Sequence, residues 1–221
     1  MASFQGIVGF FQEGGAFMYP IVIVLTLGLA ISIERFIFLS KTSVTNRMLW
    51  KKIAPFIRAG KFQEAVSVTA KSKSAIGQIL TYGLYRIKSA SRRDDIEKAM
   101  EESLMEVMPR LEKRTHYLAT FANIATLLGL LGTIIGLINA FTAVAAANPA
   151  EKADLLSASI SVAMNTTAFG LMVAIPLLLV HTVLQSKTTN IVDSLEMVSV
   201  KFLNAVDERR TAGDQPAGKP A

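Results

Sequence analysis

The chain has 221 residues, of which 51% are hydrophobic and 18% charged, with a net charge of +6. That mixture is too apolar for an ordinary soluble domain and too polar for a bundle lying wholly in lipid, so it fits a membrane protein with a water-facing part. The lack of cysteine excludes a disulfide framework and thiolate metal ligation, and argues against redox chemistry.

In chain order, Phe4, Ile7, Val8, Phe10 and Phe11 recur at roughly helical spacing, with no Lys or Arg among the first eighteen residues. A secretory signal would need a basic start and a small-residue cleavage site. Residues 1–19 are therefore predicted as a short amphipathic helix in the outer interface, breaking at Gly14 and Gly15. Residues 20–40 follow as a first transmembrane helix, with Pro20 in the first turn, where its missing N–H costs nothing. Glu34 and Arg35 stand near its far end and read as a structural anchor that reaches headgroups or pairs, not as an ion relay.

Residues 41–118 change character, with sixteen Lys or Arg against eight Asp or Glu. They read as a cytoplasmic helical region. From Met48 to Ala75 the pattern predicts short helices broken at Pro55 and at Ala59-Gly60. Beyond Ser91, a candidate cap, Asp94 and Asp95 suit a helix start. Ile96, Met100, Leu104, Val107 or Met108, Leu111 and Leu118 then form one stripe. With no stop signal before the next apolar run, one long rod is expected to leave the membrane, bent at Pro109.

Residues 119–147 form a second, charge-free span. Gly129, Gly132 and Gly136 give it small-residue spacing for close helix contact. Thr126, Thr133 and Ala140 recur at intervals of seven. The loop 148–156 is short, so the third span, 157–185, runs antiparallel to the second. Its run Ile160–His181, ISVAMNTTAFGLMVAIPLLLVH, has no acid or base before His181 and is long enough to cross a bilayer. Gly170 suits helix packing and Pro176 a kink. Asn165, Thr166 and Thr167 would be poorly placed facing lipid and should face protein, water or a polar path. The antiparallel pairing lets Thr133 and Thr167 meet at similar depth as pore-lining oxygens, with Asn165 and Thr166 supporting them. A Na+ site near Thr133, Thr166 and Thr167 is the only metal site this pattern suggests. Residues 186–221 continue as a helix through Ile191, Leu195, Val198 and Phe202 and end in a disordered tail from Thr211.

The long basic loop and the tail belong in the cytoplasm and the N-terminus outside, by the positive-inside rule. Topology thus accounts for the excess charge, and with basic residues spread among acids, nucleic-acid binding loses its support. No phosphate loop, HExxH or GxSxG is present, and His116 and His181 sit at membrane boundaries. The run GLLGTIIG lacks the preceding strand that a dinucleotide site requires. The chain reads as no enzyme, with no cofactor.

Four blocks carry a family resemblance: ERFIFLS, GKFQEA, the long run MEESLMEVMPRLEKRTHYLATFANIATLLGLLGTIIGLINAF, and ISVAMNTTAFGLMVAIPLLL. They resemble the ExbB/TolQ/MotA channel subunits, and three spans are closer to ExbB and TolQ than to four-span MotA. The resemblance implies an all-α integral protein of the bacterial inner membrane that forms a homo-oligomeric ring, typically a pentamer. Such a ring encloses two copies of an ExbD/TolR-like single-span partner whose aspartate receives the ion. Ion flow would then drive a TonB-like or other envelope partner. Two positions depart from the pattern: Val162 stands where a glutamate is usual, and Thr126 stands where APLLG has proline. The threonines resemble those of the sodium-driven flagellar branch, which favours Na+ over H+ as the transported ion. The rival reading is a passive membrane scaffold recruiting partners through its cytoplasmic helices.

Overall fold

The computed structural model describes residues 15–87 and 92–214. The expected amphipathic helix before Gly15, the Ser91 cap and the end of the tail lie outside those residues. Within them the chain is helical, in the order α1 (Met18–Arg58), α2 (Phe62–Thr69), α3 (Ala75–Ile87), α4 (Arg93–Glu112), α5 (Thr115–Ala146) and α6 (Lys152–Asp214). Three helical stretches are long and apolar enough to cross a membrane, and only 22–33% of their apolar windows is buried within the chain. Ile23, Leu127, Phe141 and Leu179 are each about half exposed or more. So much outward apolar surface suits lipid or neighbouring chains, not water. Together with the helical content, this makes the chain an all-α membrane protein.

Contacts group the chain into two units, one of residues 1–35 with 114–184, the other of 36–113 with 185–221. In the first, Met18 and Ile21 of α1, Ala122, Ala125 and Ala140 of α5, and Ala163 and Leu177 of α6 are buried. Small residues set the spacing: a Cβ on Gly28 would lie 2.7 Å from Leu177 Cδ2. Ser32 Oγ donates to the Gly28 carbonyl at 2.7 Å, so its buried hydroxyl is satisfied within its own helix. Glu34, expected to reach headgroups or pair, accepts from Arg114 Nη1 at 3.1 Å. Arg35 is 2% exposed.

The second unit packs the remainder of α1 and α6 with α2, α3 and α4 around Ile53, Ile57, Ile79, Leu84, Met100 and Phe202. Gly83 makes room there, since a Cβ would come within 2.7 Å of Met100 Sδ and 2.9 Å of Phe202 Cε1. Arg93 Nη1 meets Asp207 Oδ2 at 2.6 Å on its rim. The tail residues Ile191, Leu195, Val198 and Phe202 are all buried on one face of α6.

The structure corrects three boundaries. Pro55 does not break α1, because buried Ile53 and Ile57 hold the turns on either side and only one ladder bond is forfeited. The stop comes at the other expected break, Ala59-Gly60, where Gly60 has φ +74°. Lys61 N donates to Phe56 O and Gly60 N to Ile57 O, the paired bonds of a glycine-terminated helix. The expected single rod is also interrupted, not at Pro109, which lies inside α4, but at Arg114, with φ +65°. Lys113 N closes the last turn of α4 onto Pro109 O, and Thr115 opens α5. Leu118 therefore belongs to α5. On α4 the buried stripe takes Ser103 where Leu104 was expected, and Val107 at the ambiguous position. Finally, α6 continues past Thr211 to Asp214, with Pro176, expected as a kink and not as an end, inside it.

Gly60→Ala should destabilise the protein by about 1 kcal/mol, the cost of a Cβ in the left-handed region. Denaturant titration of helicity in detergent micelles tests this, and an unshifted midpoint would count against the assigned stop.

Candidate functional site

The second and third spans meet along their glycines. A Cβ on Gly170 would lie 2.6 Å from Ala125 O and 3.1 Å from Gly129 Cα. On Gly129 it would lie 3.2 Å from Thr167 Cα, and on Gly136 2.8 Å from Ala163 Cβ. Gly132 is closed in the same way by the side chain of Thr166 and by Phe17. Two backbones thus run against each other where any larger residue would separate them. Van der Waals packing of this kind drives helix association in lipid, where no hydrophobic force is available.

The pairings 129–170, 132–166 and 136–163 step in opposite directions along the two helices. They place Thr133 level with Asn165–Thr167. Thr167 Oγ1 donates across the seam to the Gly129 carbonyl at 2.7 Å. In the helical ladder that same carbonyl is the acceptor for the N–H of Thr133, four residues on. Thr133 itself donates its hydroxyl to Leu130 O at 2.5 Å and is half-buried. Thr166 is 2% exposed, donates to Val162 O at 2.9 Å, and fills the seam against Gly132. Asn165 is half-buried beside it.

These hydroxyls share one chemical property. Each proton is directed at a backbone carbonyl, so the oxygen turns its lone pairs, not a donor, toward whatever approaches. Such oxygens can solvate a cation. Among the described residues there is no group of three or more His, Cys, Asp or Glu, and the polar groups at this level are neutral oxygens and an amide. Val162, at the position where the family resemblance implies a glutamate, is half-buried, and a Cβ on Gly15 would lie 3.3 Å from its Cγ1.

The expected stripe of Thr126, Thr133 and Ala140 does not form a uniform face. Ala140 is fully buried, whereas Thr126 is exposed and bonds back to Ala122 O at 3.1 Å. Sequence reading passed over Asn123, one turn before Thr126 and also exposed. Its position at i−3 from Thr126 and i−10 from Thr133 was the available signal. Pro176 is exposed, with Ala174 and Leu177 buried on the opposite side. At the same end of the α5–α6 pair, His116 and Tyr117 pack with ring centroids 4.2 Å apart, and Tyr117 stacks on Phe121 at 6.4 Å. That cluster has the composition of an interfacial aromatic belt.

Residues 71–197 match the family model described as the MotA/TolQ/ExbB proton channel family. An ExbB homolog of biopolymer transport from Methanothermobacter thermautotrophicus is 27% identical over 200 residues, covering 88% of this chain and 68% of its own length. An ExbB-like protein from Synechocystis is 31% identical over 183 residues, 80% of this chain and 69% of the relative. The Tol-Pal system protein TolQ from Haemophilus influenzae is 33% identical over 84 residues, 38% and 36% of the two chains.

Thr167→Val should lower stability by about 0.6 kcal/mol, the usual worth of an interhelical bond in a membrane, while Thr167→Ser should keep it. Reversible unfolding in micelles measures both. A loss of several kcal/mol in the valine variant would mean that the hydroxyl carries the fold.

Proposed function

We propose, from the premise that the chain belongs to the MotA/TolQ/ExbB proton channel family, that it is the ring-forming subunit of an ion-driven motor of the inner membrane. As a channel subunit of such a system it has three spans. The proposal adds a homo-oligomeric ring, five copies by family precedent, around the single spans of two ExbD/TolR-like partner chains. The basic region after the first span and the tail of α6 lie in the cytoplasm on this reading, with the N-terminus outside.

One observation carries the assignment of the path. Thr167 and Thr133 stand at one level of the α5–α6 pair, with their hydroxyl protons spent on Gly129 O and Leu130 O. Their lone pairs, extended by half-buried Asn165, would line the route at mid-membrane, whereas Thr166, expected to join them, is sealed in the seam against Gly132 and only holds the helices together. An unpaired carboxylate on a partner helix would be costly at that depth, and oxygens together with a bound ion offset the cost. With Val162 in place of an acid, this subunit has no carboxylate in its third span. Neutral oxygens suit a partly dehydrated Na+, so sodium is favoured over the proton. A membrane potential contributes about 2.3 kcal/mol per charge per 100 mV, enough for a few ions to move one packed helix past another. The motion would be passed to a TonB-like or other envelope partner. Nothing in this mechanism requires a cofactor or an enzymatic step.

Thr133→Val combined with Thr167→Val should abolish partner-dependent work while the ring and partner still co-purify. Collapsing the sodium and proton gradients separately, with ionophores of each kind, should stop the wild type only in the sodium arm. Full activity in the double variant would overturn the path, and arrest in the proton arm alone would overturn the ion.

A further inference from the structure

We infer that a half-open cavity between α1, α4 and the loop leading into α3 binds the phosphate headgroup of an anionic phospholipid from the inner leaflet. The cavity measures about 430 Å³ and lies wholly within the second unit. Lys41, Lys73 and Arg110 converge on it from three separate elements, and no Asp or Glu lines it. Thr45, Ser72 and Gln78 add hydroxyl and amide groups. Beneath them the wall turns apolar, with Phe38 beside buried Val107 and Leu111. Three cations over a hydrocarbon floor match an amphiphile with a negative head.

The start of α3 does not account for this charge. Its N–H groups are partly spent already: Gly77 N donates to Ser74 Oγ at 3.1 Å, and Ile76 N to Asn46 Oδ1 at 3.4 Å. Recognition therefore falls first on Lys41 and Lys73, whose ammonium donors suit phosphate oxygens, with Arg110 adding its charge to the same wall.

Depth selects the lipid over a free anion. Phe38 and Lys41 stand where the apolar run of the first span gives way to charge, and Leu111 precedes by four residues the start of α5. At the same level Lys187 Nζ lies 4.2 Å over the Phe36 ring and donates to Ser40 Oγ at 2.7 Å. A lysine with its stem along an aromatic ring and its ammonium at a polar group is the posture of a residue at the headgroup boundary. A soluble phosphate would gain nothing from Phe38, Val107 and Leu111, whereas the first acyl carbons of a lipid would.

The test uses the full-length protein in detergent micelles, with a phosphatidylglycerol carrying a fluorescent tail as probe. Phosphatidylglycerol should bind at least about tenfold more tightly than phosphatidylcholine of the same chain length, as basic groups near a charged lipid surface require. Lys41→Gln/Lys73→Gln/Arg110→Gln should erase the difference, and Lys51→Gln/Lys52→Gln/Arg58→Gln should leave it intact. If the first triple variant loses helicity, the separate exposed-site variants Lys41→Gln and Lys73→Gln carry the comparison, each expected to weaken the probe severalfold. Unchanged binding in these variants, equal binding of the two lipids, or full displacement of the probe by millimolar inorganic phosphate would each overturn the assignment.

Discussion

Everything the second and third spans do depends on how closely their backbones approach. Gly170 sits against the carbonyl of Ala125 and the Cα of Gly129, and a single added carbon would push the helices apart. That contact brings Thr167 within reach of the Gly129 carbonyl, and through the antiparallel register brings Thr133 to the same level. Without the glycines, the hydroxyl of Thr167 would have to return to its own helix, as those of Thr126, Thr142 and Thr182 do. The polar site is thus a consequence of small residues that carry no polarity themselves.

A membrane makes this arrangement stringent. No water competes for the Gly129 carbonyl in hydrocarbon, so a hydroxyl placed beside it is held in one orientation. Fixing the proton fixes the lone pairs, and these hydroxyls present acceptors and not donors. A serine or threonine in water would present either character by rotation about one bond. Here the choice is made by packing.

Much of this was readable from the residue order. The spans announced themselves by length and lack of charge, and the glycines of residues 129–136 lie at turn-like intervals that can only stack on one side of a helix. The short connection at 148–156 forced antiparallel pairing, which is why Thr133 and Thr167 could be matched in depth. The register itself was not readable, because several offsets would have aligned small residues. The carbonyl that Thr167 uses belongs to a glycine with no side chain to advertise it. Helix ends failed where backbone geometry outweighed composition. Arg114 adopts a left-handed conformation that nothing in EKRT signals, held where its guanidinium reaches Glu34. Pro55 looked like a stop and is not one, since the apolar residues flanking it are buried. The side of α4 that turns inward at Ser103 likewise followed from neighbours and not from hydrophobicity.

The valine at position 162 bears most directly on how the proposed motor would divide its labour. Burying an ionisable group in a span costs several kcal/mol unless it is paired. A subunit that omits its own acid avoids that cost in every copy of a ring, and leaves the charge to a partner present in fewer copies. On the proposed reading the ring would supply only dipoles, repeated around its axis, and a charged guest could move from one set to the next without any ring residue changing protonation state. On the proposed reading, the rate of stepping would be limited by dehydrating the ion and sliding the helix, not by proton transfer within the ring. The half-buried side chain of Val162 near Gly15 leaves that position filled with hydrocarbon, so the oxygens one to two turns along α6 are left as the polar surface at that level.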